Sequence, residues 1–155
     1  MNITRVLSTL AVSTLLSVAA LAGPNLSGEW KLNATKSDFG PMPGPDKLLM
    51  KVDHKEPVIK IQSEQSGQQG DVKMEQNYTT DGKECKNKMR NAEMVSKLKW
   101  EGDALSVDSK LDFQGNEVSI KETWSLSDEG KVLTIKRKIA APQGEFETTQ
   151  VLEKQ

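Results

Sequence analysis

The sequence predicts an all-β domain, an antiparallel up-and-down meander that closes into a barrel of about eight to ten strands. Apolar residues alternate with polar ones through most of the chain, and turn dipeptides recur at short intervals. A meander this long must also remove its two edges, and closure does so.

The alternation is clearest in the second half. Leu105, Val107, Leu111 and Phe113 share one parity, while Ser106, Asp108, Lys110 and Asp112 share the other. Val118, Ile120, Trp124 and Leu126 repeat the pattern, followed by Leu133, Ile135 and Ile139. A period of two marks strands with one face on a core and one in water. A helix would carry the Lys and Asp residues of these segments into its apolar stripe.

Asp81-Gly82, Gly102-Asp103 and Gly115-Asn116 carry residues that accept positive φ, as tight hairpins require. Lys55-Glu56 before Pro57, Ser127–Gly130 and the Pro142–Gly144 region supply further connections. The expected strands are 28–32, 46–54, 57–65, 71–80, 83–90, 93–101, 104–114, 117–126, 131–140 and 145–153. A flattened two-sheet form and an open meander are the alternatives to closure. Residues 33–45, with Phe39-Gly-Pro-Met-Pro-Gly-Pro45, break the pattern because proline lacks the amide donor a ladder needs. This segment is expected to be a long loop crossing one end of the barrel.

Residues 1–22 place Arg5 before an apolar run from Val6 to Leu21 and end on Ala20-Leu21-Ala22. That order matches an export signal cleaved after Ala22. The run is short for a spanning helix, which needs about 20 predominantly apolar residues. The expected product is one domain, residues 23–155, in the periplasm or outside the cell, with no stable membrane insertion. Loss of Arg5 leaves 20 basic against 22 acidic side chains. Neither nucleic acid nor an anionic membrane is an expected partner, since both reward concentrated positive charge.

Cys85 is the only cysteine, so an internal disulfide is excluded and a small buried hydrophobe is its simplest role. His54 is the only histidine, and its default reading is structural. One Cys and one His fall short of a structural zinc site of about four ligands. No nucleophile pattern accompanies His54, and no phosphate loop is present. Neither catalytic residues nor a metal or cofactor is expected.

Parity combined with turn position gives a register. Two-residue loops at Gly102-Asp103 and Gly115-Asn116 set Leu98 opposite Val107, Ser96 opposite Ser109, and Ser109 opposite Glu122. Glu122 then opposes Ile135 and lies diagonal to Arg137, which opposes Thr148, while Gln150 opposes Ile135. Around Asp81-Gly82, Tyr78 opposes Cys85 and Gln76 opposes Asn87. The inward face therefore mixes apolar residues, Trp30, Met50, Met74, Met94, Phe113 and Trp124 among them, with Gln76, Tyr78, Asn87, Ser96, Ser109, Glu122, Arg137, Thr148 and Gln150. A dry core makes such polar groups costly, whereas a barrel with a wet cavity accommodates them. The candidate ligand-binding residues are Tyr78, Trp100, Ser109, Glu122, Trp124 and Gln150. Glu122 and Arg137 admit two readings, as pocket groups that meet a ligand and as a buried structural pair.

Gly28-Glu29-Trp30 on the first mature strand resembles the Gly-x-Trp opening of lipocalins and their calycin relatives. The layout is similar to small exported bacterial lipocalin-like β proteins. The resemblance implies a lipocalin-like barrel in which Gly28, Trp30 and Arg137 form a structural closure, with Arg137 packed over the Trp30 ring. It also implies small apolar ligands. The function expected is an exported binding barrel for a small, partly apolar ligand. The alternative is a protein-interaction or inhibitory module with a filled core and with Phe39 and Met42 exposed. The sequence leaves the oligomeric state open.

Overall fold

The computed structural model describes residues 23–68, 70–127 and 129–155; the leader expected over 1–22 lies outside them. Strand β1 (Gly28–Leu32) leads through a short 3-10 turn (Ala34–Lys36) to β2 (Lys47–Lys55), β3 (Val58–Ser66) and β4 (Val72–Thr79). Then come β5 (Asp81–Met89), β6 (Ala92–Glu101), β7 (Ala104–Phe113), β8 (Asn116–Leu126), β9 (Val132–Ala141) and β10 (Gly144–Lys154). All ten form one antiparallel sheet in the order β4-β3-β2-β1-β10-β9-β8-β7-β6-β5, nearly closed into a barrel. Neighbours in sequence are neighbours in the sheet, except that β1 also pairs with β10 and β4 meets β5 without a ladder.

The alternation works as expected. Along β2 every second side chain is buried, placing Leu48, Met50, Val52 and His54 inside and Lys47, Leu49, Lys51, Asp53 and Lys55 outside. At Gly102-Asp103 the hairpin pairs Leu98 with Val107 and Ser96 with Ser109. Across the β9–β10 turn Thr148 opposes Arg137 and Gln150 opposes Ile135.

Two registers differ from expectation. The β7–β8 turn is centred on Gln114-Gly115, with φ of 55° and 81°, rather than on Gly115-Asn116. Two positive-φ residues make a tight hairpin turn whose twist suits the strands, and Glu122 consequently opposes Val107 instead of Ser109. Between β8 and β9 the loop is longer than expected, closed by Ser127 N–H donating to Val132 O at 2.9 Å. Glu122 therefore faces Arg137 directly, not Ile135. Both slips are by two residues, so each strand keeps its faces. Phe113, expected inside, pairs with Asn116 at the hairpin tip and is 48% exposed.

Asp81-Gly82 is not a hairpin turn. Gly82, at φ 77°, lies within β5, where the register against β6 is irregular between Asp81 and Glu84. A positive-φ glycine serves a bulge as readily as a turn, and a bulged strand bends. Consequently β5 does not pair with β4, and Tyr78–Cys85 and Gln76–Asn87 are not ladder pairs. Side chains close the seam instead. Asn77 N–H donates to Asn87 Oδ1 at 2.7 Å, Asn87 Nδ2 donates back to Asn77 O at 3.0 Å, and Thr79 N–H donates to Cys85 Sγ at 3.1 Å.

The loop over 33–45 is stitched to β10. Asp38 and Thr149 form an isolated bridge, and Asn33 N–H donates to Val151 O at 2.8 Å. Strand β1 covers only the last residues of β10, so this loop occupies an edge that would otherwise be bare.

Candidate functional site

The barrel has two unlike halves. The half bounded by the β2–β3 and β6–β7 turns is packed solid with Leu26, Trp30, Ile59, Leu98, Leu105, Leu133 and Leu152, each at most 1% exposed. Trp30 Nε1 donates to Leu26 O at 3.0 Å, and Gly28 opposes Val52 beside it. The cation over the Trp30 ring is Lys154, with Nζ 5.5 Å from its centroid. Arg137 cannot take that role. Trp30 lies level with Lys154, and Arg137 sits six residues along β9 from the Lys131 that Lys154 bonds, roughly 20 Å away at about 3.3 Å per residue.

His54 is buried in the same half. Leu26 N–H donates to its Nδ1 at 3.1 Å, which puts the ring proton on Nε2, 2.8 Å from Glu56 Oε1. Glu56 also accepts from Trp100 Nε1 at 2.6 Å and from the Thr80 hydroxyl. Burial alone would raise the Glu56 pKa, but the donors Thr80, Trp100 and His54 outweigh it and hold the carboxyl below its ordinary value. Trp100 stacks on His54 with ring centroids 6.0 Å apart, and Gly23 lies so close to its indole that a Cβ would come within 2.1 Å of it. Every group in this cluster is engaged in closing the barrel end. Trp100 accordingly stands apart from the other candidate ligand residues, because the last inward position of β6 belongs to the closed end.

The other half encloses a cavity of about 380 Å³. Tyr78, Ser109, Glu122, Trp124 and Gln150 line it, together with Arg137. Adjacent strands β8 and β9 set Glu122 and Arg137 directly opposite each other on the inner face. Arg137 donates its Nε–H to Glu122 Oε1, and Trp124, two residues along on the same face, donates its indole N–H to Oε2 at 2.8 Å. Tyr78 is nearly buried; burial, reinforced by the Glu122 charge, pushes its phenol well up and keeps it neutral. The Ser96 and Ser109 hydroxyls bond each other at 2.7 Å on the neighbouring wall.

The apolar wall is rich in thioethers. Met42, Met50, Met74, Met89 and Met94 all line the cavity, and apart from Met1 they are all the methionines in the chain. They arrive from the 33–45 loop and from β2, β4, β5 and β6. Unbranched, polarisable side chains make a surface that can repack around different shapes. Parity places Met50, Met74 and Met94 inside, but loop residue Met42 and turn residue Arg90 have no period to read. Among the described residues no group of three or more His, Cys, Asp and Glu could hold a metal ion, and no helix is long and apolar enough to cross a membrane.

No protein-family model and no curated protein sequence matches the chain. Solved structures do. A secretory abundant heat soluble protein of Ramazzottius varieornatus superposes with a TM-score of 0.64 at 16% identity, covering 83% of this chain and 94% of that one. Zebrafish ileal bile acid-binding protein, solved with cholic acid, gives 0.59 at 15% identity, over 84% and 98%. The fatty-acid-binding protein 1 of Echinococcus granulosus gives 0.50 at 17%, over 83% and 96%. The near-closed antiparallel barrel is the fold shared with these proteins. At these identities the likeness speaks for architecture alone.

Proposed function

We propose that this protein is an exported barrel that binds a small, partly apolar ligand. The observation that carries the reading is the cavity of about 380 Å³, walled by methionines and aliphatic side chains interspersed with polar ones such as Gln76, Tyr78, Glu122 and Gln150. Ligand sites are typically concave and mostly apolar, with a small number of placed polar groups that fix orientation. Two barrels of similar fold are named for bile acids and fatty acids, which supports the same broad class here.

Export completes the proposal. Cleavage after Ala22 would leave Gly23 and Leu26, both built into the closed end, on the mature chain. N-terminal sequencing of protein expressed from the full-length gene would begin at Gly23. Native mass spectrometry of the same material, followed by mild denaturation, should release a copurifying small molecule. An apolar fluorophore such as N-phenyl-1-naphthylamine should also bind saturably. An unliganded mass together with no saturable uptake of the fluorophore would overturn the binding reading.

The interaction-module alternative expects Phe39 and Met42 exposed; Met42 is 40% exposed, whereas Phe39 is half-buried. It expects a filled core, and the cavity counts against it.

A further inference from the structure

The pair formed by Glu122 and Arg137 bears on the chemical class of the ligand. It is a pair of opposite unit charges on one wall of the cavity, with side chains only 11% and 24% exposed. Glu122 has both oxygens engaged, one by Arg137 and one by Trp124. Arg137 gives its Nε–H to Glu122, and among the described residues its two terminal nitrogens make no hydrogen bond. The pair thus offers donors without offering net charge. The third charged residue on the wall, Arg90, sits on the exposed β5–β6 turn, where water screens it.

From this we infer that the ligand's polar end is uncharged and accepts hydrogen bonds, as an amide, ester or alcohol does; the inference rests on the binding-barrel reading. A ligand carboxylate would approach Arg137 at the cost of lying beside the Glu122 carboxylate, and the other inward polar groups on the wall, Gln76, Tyr78, Ser109 and Gln150 among them, carry no charge to balance it. An ammonium group would meet a Glu122 carboxylate that already pairs with Arg137 and would lie beside that like charge. A carbonyl or hydroxyl oxygen takes an Arg137 N–H with no such conflict and leaves the pair intact.

The test is competition by four ligands with the same tail, decanamide, decanol, decanoate and decylamine, against N-phenyl-1-naphthylamine near pH 7, using protein expressed from the full-length gene. Decanamide and decanol should bind about tenfold or more tighter than either ion. In Glu122→Gln the unbalanced Arg137 should draw decanoate up by about tenfold relative to decanol. Tightest binding of decanoate or decylamine by the unmodified protein would overturn the inference while leaving the barrel a binding protein. No gain of decanoate relative to decanol in a folded Glu122→Gln would overturn the role given to the pair. If that variant does not fold, the ranking in the unmodified protein still decides. Should none of the four compete and the fluorophore itself fail to bind, the binding reading falls, and this inference with it.

Discussion

Glu56 sits in the β2–β3 turn and gathers donors from His54 on β2, Thr80 before β5 and Trp100 at the end of β6. Three parts of the barrel are thereby tied to one carboxylate. Its folded pKa lies below the ordinary 4.5 despite the opposing effect of burial. A depressed carboxyl pKa stabilises the fold fully above the unfolded value, and that stabilisation is lost as pH falls through the folded value. Glu56→Gln should therefore cost about 1–2 kcal/mol at neutral pH. The gap between variant and unmodified protein should hold down to about pH 4.5 and narrow below it, as read by urea unfolding at a series of pH values. A gap that widened on acidification would refute the assignment. Little at this scale was legible beforehand. The sequence marks His54 as the single histidine, but Glu56 is one of 22 acidic residues. Its partners come from segments up to 44 residues away. Parity says that a side chain points inward without saying which end of the barrel it reaches, so it groups Trp100 with the cavity residues and does not contradict the resemblance that sets Arg137 beside Trp30.

The ten strands were legible as elements because alternation and turn chemistry agree along nearly the whole chain. Each end falls within about two residues of its expected place. The seam between β4 and β5 was not legible. Asp-Gly is the strongest short hairpin signal, and nothing local separates a glycine that turns a chain from one that bulges a strand. What the bulge leaves unpaired, Asn87 restores: its carboxamide receives the Asn77 N–H and donates to the Asn77 carbonyl, imitating one rung of a ladder. Asn87→Ala should strand both backbone groups and cost about 1–3 kcal/mol. Amide exchange at Asn77 should rise far more than at Lys110 on β7, which lies in continuous ladder. Equal loosening of both sites would mean that Asn87 supports the whole barrel and not the seam.

Across the whole molecule, stability and binding are assigned to opposite ends of one sheet. Fully buried Leu98, Leu105, Leu133 and Leu152 fill the closed end, while the cavity end keeps about 380 Å³ unfilled. The same alternation builds both, so a sequence reading gives a mixed inner face without separating its packed part from its hollow part. Two substitutions separate them. Leu133→Ala removes a side chain with no exposed surface and should cost about 2–5 kcal/mol. Affinity for an apolar fluorophore should then change by less than about threefold, since Leu133 does not line the cavity. Ile120→Trp sends an indole from β8 into space that is already open. It should leave unliganded stability within about 1 kcal/mol, because the bulk enters a cavity and not a packed core, yet abolish fluorophore binding. Added ligand should stabilise unmodified protein by about 2.7 kcal/mol at a hundredfold excess over Kd, and Ile120→Trp not at all. Thermal unfolding with and without fluorophore reads both effects in one experiment. If Ile120→Trp stabilised the protein and kept its affinity, the open end would be a packing defect and binding would lie elsewhere.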